Sequence, residues 1–296
     1  MTEAARQLSN VHSEFRTRIW RLAHGRSLAL GRRGHLKGIV NVTPDSFSDG
    51  GRFDDVETAV KAAEAMVAEG AAIVDVGGES TRPGAGPVDA RTEQARVLPV
   101  IAALARRTDA VISVDTYRAE TARRAVDAGA HVINDVWGLQ RDADMAQTAA
   151  ALGAGLCIMH TGRDRQKADD VIEDQHLFLG RSLELARDAG VSDDAIVLDP
   201  GFGFAKDADE NVELMARFAE LHALGYPLVA GTSRKRFIGA VSGRDMDQRD
   251  IATASTTAML RLQGAAIFRV HDVAANKDAL AMADAVLARR LEGAVQ

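Results

Sequence analysis

The chain has 296 residues, 46% of them hydrophobic, with 42 acidic against 36 basic side chains and a formal net charge of −6. That length holds one large α/β domain or two ordinary ones, and the charge carries no nucleic-acid footprint. Aromatic residues make up only 4%, so Ala, Val, Leu and Ile must fill the core, and an anionic ligand must be caught by local cations.

The single cysteine, Cys157, excludes an internal disulfide and a multi-cysteine zinc site. It lies in the apolar run Gly155–Met159 and reads as a packed core thiol. No apolar run approaches the ~20 residues of a membrane span. The N-terminus lacks a signal peptide's apolar core and carries Glu3 and Glu14, which argues against a transit peptide. The expectation is a cytoplasmic protein with neither a membrane nor a nucleic-acid partner.

In chain order, the first ~18 residues read as a helical or frayed tail. Trp20 to Ala23 and Ser27 to Leu30 then flank His24-Gly25-Arg26, the pattern of a β-hairpin that would plug a barrel floor. Eight apolar runs follow: Leu36–Val40, Ala72–Val76, Ala110–Val114, His131–Ile133, Gly155–Met159, Ala195–Leu198, Pro227–Ala230 and Ala266–Val270. Helical patterns lie between them. One runs from Val56 to Glu69, with Asp54 and Asp55 as caps and Gly70 as its stop. Others run Arg118–Asp127, Ile172–Ala189, Asp209–Leu224 and Gln248–Leu262, each closed by a glycine within two residues. Val273–Leu291 ends the chain.

Strands joined by helices lie parallel, and parallel strands covered on both faces read as continuous apolar runs. Eight βα units predict a (β/α)8 TIM barrel; a doubly wound open sheet is the alternative. No linker divides the chain, so residues 1–35 read as tail and hairpin and 36–296 as one barrel domain.

In such a barrel all strand ends converge on one mouth. The residues there are Asn41, Glu79-Ser80-Thr81-Arg82, Asp115, Asn134-Asp135, His160, Asp199, Ser233-Arg234-Lys235, Arg269 and His271. Any one of them suits a cap or turn. A packed barrel does not need a polar residue at almost every strand end, whereas a polar ligand does. Arg82, Lys235, Arg269 and His271 suit an anion, and two of these positions follow the last two barrel strands, where such barrels often hold phosphate. Asp115, Asn134 and Asp199 suit a flat heterocycle rich in N–H donors, such as a pterin or purine edge. Together they point to a phosphorylated heterocycle.

With these residues in view, the chain resembles the dihydropteroate synthases from about Trp20 to about Ala285. The shared motifs are GIVNVTPDSFSDGG at 38–51, AAIVDVGGESTRPGA at 71–85, SVDT at 113–116, INDV at 133–136, LDPGFGF at 198–204, SRK at 233–235 and RVHDV at 269–273. The resemblance implies the condensation of 6-hydroxymethyl-7,8-dihydropterin diphosphate with 4-aminobenzoate, giving dihydropteroate and pyrophosphate in folate biosynthesis. It implies that Asp115, Asn134, Asp199, Phe204, Gly231 and Lys235 hold the pterin. Asn41, Arg82, Arg269 and His271 would take the diphosphate, with Asn41 also on Mg2+. Phe47, Thr81, Arg82, Pro83 and Ser233 would line the aminobenzoate site, where sulfonamides act on the family. Arg82, Asp115, Lys235, Arg269 and His271 would be the catalytic set. A homodimer is implied as well, through the last helices, where Met259, Leu260 and Leu262 are available.

Three places depart from the family pattern. The stretch TGRDRQKADDVIEDQ after His160 is unusual; it follows the fifth barrel strand and reads either as altering the mouth of the site or, from its charge mix, as a solvated loop. Ala205 stands where Gly is commoner, and the first ~18 residues extend the usual start. Asp75 and Asp135 read as cap or backbone-bonding residues, His131 as structural or surface, and Trp137 as either mouth or core. Competing functions are a non-catalytic pterin-binding paralogue, a methyltetrahydrofolate-type methyltransferase barrel and, more remotely, an aldolase barrel.

Overall fold

The computed structural model describes residues 15–43, 52–79, 86 and 88–293. An antiparallel hairpin of β1 (Arg18–Arg21) and β2 (Ser27–Leu30) precedes eight parallel strands. These are β3 (His35–Asn41), β4 (Ile73–Gly77), β5 (Val111–Asp115), β6 (Val132–Asp135), β7 (Gly155–Met159), β8 (Ile196–Asp199), β9 (Val229–Ala230) and β10 (Ile267–Val270). Their order is β8-β7-β6-β5-β4-β3-β10-β9. A parallel bridge between Leu198 and Leu228 joins β8 to the approach of β9 and closes the ring. The sheet is therefore the expected (β/α)8 barrel, not an open sheet.

Among the described residues nine α-helices accompany the strands: α1 (Arg52–Glu69), α2 (Ala90–Arg107), α3 (Ala119–Asp127), α4 (Met145–Leu152), α5 (Val171–Asp188), α6 (Ala208–Ala216), α7 (Arg236–Ser242), α8 (Asp250–Leu262) and α9 (Val273–Gly293). The helical pattern over 209–224 splits in two. α6 ends at Ala216, and a 3-10 helix spans Phe218–Leu224. Phe218 is buried there and stacks on Phe202, ring centroids 6.4 Å apart, so packing overrides the helical period. α8 likewise starts after a short 3-10 turn at Met246–Gln248. α1 begins at Arg52, so Asp54 and Asp55 lie within the helix and not ahead of it as caps.

The hairpin plugs the floor. Trp20, Leu22 and Leu30 pack in one buried cluster with Ile73, Val111, Val132, Cys157 and Val197. Trp20 Nε1 donates to the Ala195 carbonyl at 2.8 Å, which satisfies the one polar atom of a buried indole. Cys157 is buried in this cluster, and burial pushes its thiol pKa up, so it is a core residue. His131 is also buried at the floor; its Nδ1 accepts from the Ile112 N–H at 3.0 Å. Side chains alternate along a strand. Whatever shares the phase of the floor residues therefore points into the barrel, up to the opposite rim.

Candidate active site at the C-terminal rim

Asp115, Asp135 and Asp199 are the last residues of their strands, and Asn41 ends β3. Register pairs Asn41 with Gly77, Gly77 with Asp115, and Asp115 with Asn134. Asn41, Asp115 and Asn134 therefore lie level on neighbouring strands and face the same interior. Gly77 lies between Asn41 and Asp115 and puts no side chain there. A β-carbon there would lie 3.5 Å from Asp115 Cβ and 3.9 Å from Asn41 Oδ1.

Beneath this rim the barrel carries a closed polar ring. Lys37 Nζ donates to Asn134 Oδ1 at 2.8 Å and lies 3.0 Å from Asp75 Oδ1. Arg269 donates through Nε to Asp75 Oδ2 at 2.6 Å and through a terminal nitrogen to Asp115 Oδ2 at 2.8 Å. Asn134 Nδ2 closes the ring onto Asp115 Oδ1 at 3.0 Å. Two cations offset two carboxylates, as buried charge requires. Burial alone would raise the Asp75 pKa, but Lys37 and Arg269 outweigh it and hold the carboxyl at about 2. Burial wins at Asp115, whose pKa is raised despite Arg269. Asp75 makes ion pairs inside the barrel and is not the cap residue its sequence context suggested. Lys37 was hidden inside an otherwise apolar run.

Across the mouth, Lys235 donates to the Phe202 carbonyl and sits 4.7 Å over the Phe204 ring. Burial lowers its pKa to about 8, although Asp199 pulls the other way. Asp199 Oδ1 accepts from the Gly201 N–H at 2.8 Å. Gly201 has φ +65°, and a β-carbon there would lie 1.9 Å from the His160 carbonyl oxygen, so only glycine fits this turn. Gly231 lies beside the same groups, and a side chain there would begin in ordinary contact with them. Its β-carbon would come within 3.5 Å of Asp199 Oδ2 and 3.8 Å of Lys235 Nζ. Phe204 packs with Val136 and Met159, with Tyr117 and Trp137 against them. Val136 and Met159 had no polar signal to mark them in the sequence. The mouth thus has one apolar flank, a floor of hydrogen-bonding carboxylate and amide groups, and cations beside them.

Ser233 and His271 form a pair on the far side. Ser233 Oγ accepts from the His271 backbone N–H at 3.1 Å and lies 2.9 Å from its Nδ1, to which its own hydrogen can be given. That tautomer places the ring proton on Nε2.

Other rim residues are structural. Asp135 accepts from the backbone of Trp137 at 2.8 Å and Leu139 at 2.7 Å, and burial raises its pKa to about 6. Arg234 is turned away in a two-pronged bond to Asp250, at 2.7 and 2.8 Å. His160 is fully buried, donating through Nε2 to Asp174 at 2.9 Å and accepting at Nδ1 from Lys206 at 2.9 Å. Burial holds its pKa down at about 3, so the ring is neutral. Trp137 is half-buried, with Arg141 4.3 Å over its ring.

The stretch after His160 is pinned by side chains instead of merely solvated. Arg165 pairs with Asp174 at 2.6 Å, and Lys167 bonds to Glu210 and to the Ala205 carbonyl. Arg163 reaches the mouth, 4.7 Å over Phe204. Phe47, Thr81, Arg82 and Pro83 lie outside the described residues.

The family described as pterin binding enzyme matches residues 37–271. The dihydropteroate synthase of Clostridium beijerinckii is 44% identical over 261 residues, covering 88% of this chain and 97% of the relative. Xanthomonas albilineans dihydropteroate synthase, solved with 4-aminobenzoic acid, superposes with a TM-score of 0.86 at 44% identity, covering 90% of this chain and 98% of that one. The Clostridium difficile enzyme, solved in the presence of pteroic acid, gives 0.85 at 45% identity, with 87% and 98% covered. By sequence, fold and rim alike, the chain belongs to the dihydropteroate synthase family.

Proposed function

We propose that the rim residues divide the family's reaction between three subsites. The reaction itself joins 4-aminobenzoate to 6-hydroxymethyl-7,8-dihydropterin diphosphate and releases pyrophosphate. Asp115, Asn134 and Asp199 accept and donate hydrogen bonds along the pterin edge, with Lys235 beside it. Phe204 and Gly231 shape the slot. Asn41, Arg82, Arg269 and His271 receive the diphosphate. Phe47, Thr81, Arg82, Pro83 and Ser233 form the aminobenzoate site.

The chemistry suits these groups. A C–O bond to diphosphate breaks, so negative charge builds on the leaving group, and donors fixed at that point stabilise it. The electron-rich pterin shares positive charge left on the methylene carbon, which Asp115 and Asp199 favour. The aromatic amine then forms the C–N bond and loses a proton, a step that needs positioning more than a strong base. The observation that carries this reading is the meeting, in one mouth, of the Asp115–Asn134 pair with Lys235 over Phe204.

The donor set fits Mg2+ that arrives with the diphosphate. Asn41 offers one neutral amide oxygen, and Mg2+ takes few protein oxygens when phosphates supply others. Among the described residues no group of three His, Cys, Asp or Glu is arranged to hold a metal ion. When bound, Mg2+ supplies charge neutralisation on the leaving diphosphate.

The same reading keeps residues 36–296 as one barrel domain extended by 1–35, and places the protein in the cytoplasm. No helix among the described residues is long and apolar enough to cross a membrane. A homodimer through the last helices is supported by Ile251, Met259 and Met282, which are exposed on α8 and α9. Leu260 is buried in the core and Leu262 is half-buried, so of the three residues first considered only Met259 is exposed.

Calorimetry with the pterin diphosphate tests the central subsite. Asp199→Asn and Lys235→Ala are each expected to abolish pterin binding in a folded protein. Unchanged affinity in both contradicts the assignment.

A further inference from the structure

The third residue of β3 is a buried lysine in the heart of the barrel. Such interiors are normally packed with branched apolar side chains. Lys37 shares its phase with Ile39 and Asn41, and its register partner on β10 is Arg269. On β3 it lies two inward positions below Asn41, level with the floor residue Ile73 of β4 on one side and with Arg269 of β10 on the other.

Its two partners explain its place. A lysine can only donate, and a carboxylate can only accept. Lys37 therefore demands the oxygen of the Asn134 amide, and Asp115 demands its nitrogen. The two together leave one orientation for that amide. The second partner is Asp75, which Lys37 shares with Arg269. With Lys37 balancing Asp75, Arg269 has an arm left for Asp115. The charged groups facing this layer are Lys37 from β3, Asp75 from β4, Asp115 from β5, Asp199 from β8 and Arg269 from β10, with Lys235 across the mouth. The ring of Lys37, Asp75, Arg269 and Asp115 is neutral only with the lysine in it.

We propose that Lys37 is a positioning residue of the pterin pocket: it locks the Asn134 amide and completes the Asp75–Arg269–Asp115 relay that holds Asp115 in place. This rests on the reading of the pocket as the pterin site. Lys37 touches no substrate. Without its ammonium the buried Asn134 oxygen loses its donor, and the amide turns to find another, breaking its bond to Asp115. Asp75 then draws on Arg269 alone.

Lys37→Met removes the ammonium at nearly equal volume. Swapping a buried ion for a packed apolar group is often tolerated in stability, so the fold is expected to hold. The readouts are pterin diphosphate affinity by calorimetry and the two KM values at steady state. The expected result is a loss of about tenfold or more in pterin affinity, the size of a charge-assisted hydrogen bond, with the KM for 4-aminobenzoate within about twofold. In an Asn134→Ala background the same substitution is expected to cost less than about threefold, because the lysine then has no amide to orient. Lys37→Gln is measured beside it by the same criteria, should Lys37→Met lose its cooperative melting. Unchanged pterin affinity in a folded Lys37 variant overturns the proposal, as does an equal loss in the Asn134→Ala background. A parent protein that binds no pterin diphosphate instead overturns the underlying reading of the pocket.

Discussion

Arg269 donates through Nε to Asp75 at 2.6 Å, deep in the barrel and 194 residues away in sequence. This rim cation is therefore anchored from below. Asp75→Asn is expected to weaken both anchors at once, because Lys37 and Arg269 lose their shared carboxylate. Leaving buried charge uncompensated costs about 3–5 kcal/mol. Denaturant unfolding should show a loss of that size, together with weaker pterin binding. An unchanged midpoint would mean that the ring carries no weight in the fold.

The barrel was legible because its strands are continuous apolar runs and several of the helices between them stop at a glycine; α2, which is capped at its end by Thr108, and α4 carried no such reading. The rim was legible because Asn41, Asp115, Asn134, Asp199 and Arg269 interrupt or end those runs with polar groups. Lys37 and Asp75 were harder to see. Each sits inside a run, where a single polar residue reads as noise, and only the period-two phase with Asn41 or with Ile73 points it inward. Helix ends were blurred where packing intervenes, as at Phe218. After His160 the solvated-loop reading fails because the charges find partners distant in sequence, such as Glu210 for Lys167, while Arg163 over Phe204 does bring the stretch to the mouth. Charge content alone does not reveal pairing.

Lys235 sets function against stability. Its burial pushes its pKa below that of a free lysine, to about 8. A base whose folded pKa is lowered binds its proton more tightly when unfolded, so the charged form costs stability at neutral pH. Lys235→Ala is therefore expected to melt at or above the parent temperature while losing pterin binding. A lower melting temperature would show that Lys235 is chiefly structural.

Two neutral histidines make the fold acid-sensitive. Burial lowers the pKa of His131 to about 4 and that of His160 to about 3. An unfolded histidine titrates near ~6.5. Between those values the unfolded chain binds more protons, so stability is present above pH ~6.5 and falls as pH drops toward ~4. Asp135 works the other way over part of this window, because its raised pKa favours the protonated folded state. Melting temperatures across this range should decline toward acid, and His131→Gln should flatten the slope. A parent profile that is flat from pH 7 to ~4.5 would contradict the assignment.

Ala205 holds φ +51°, a left-handed backbone that costs a residue with a β-carbon about 1–2 kcal/mol. Its carbonyl receives Lys167, so the turn is tied down as well as strained. Ala205→Gly is expected to raise stability by up to about 1 kcal/mol, with kcat unchanged, since the side chain makes no bond in the pocket. A destabilised Ala205→Gly protein would show that chain entropy outweighs the relieved strain.

The most direct test is turnover. The purified protein is incubated with 6-hydroxymethyl-7,8-dihydropterin diphosphate, 4-aminobenzoate and Mg2+, and dihydropteroate and pyrophosphate are followed together. Equimolar products that require both substrates and vanish in Lys235→Ala are expected. Bound pterin diphosphate with no product would contradict this and leave a pterin-binding barrel without the synthase reaction.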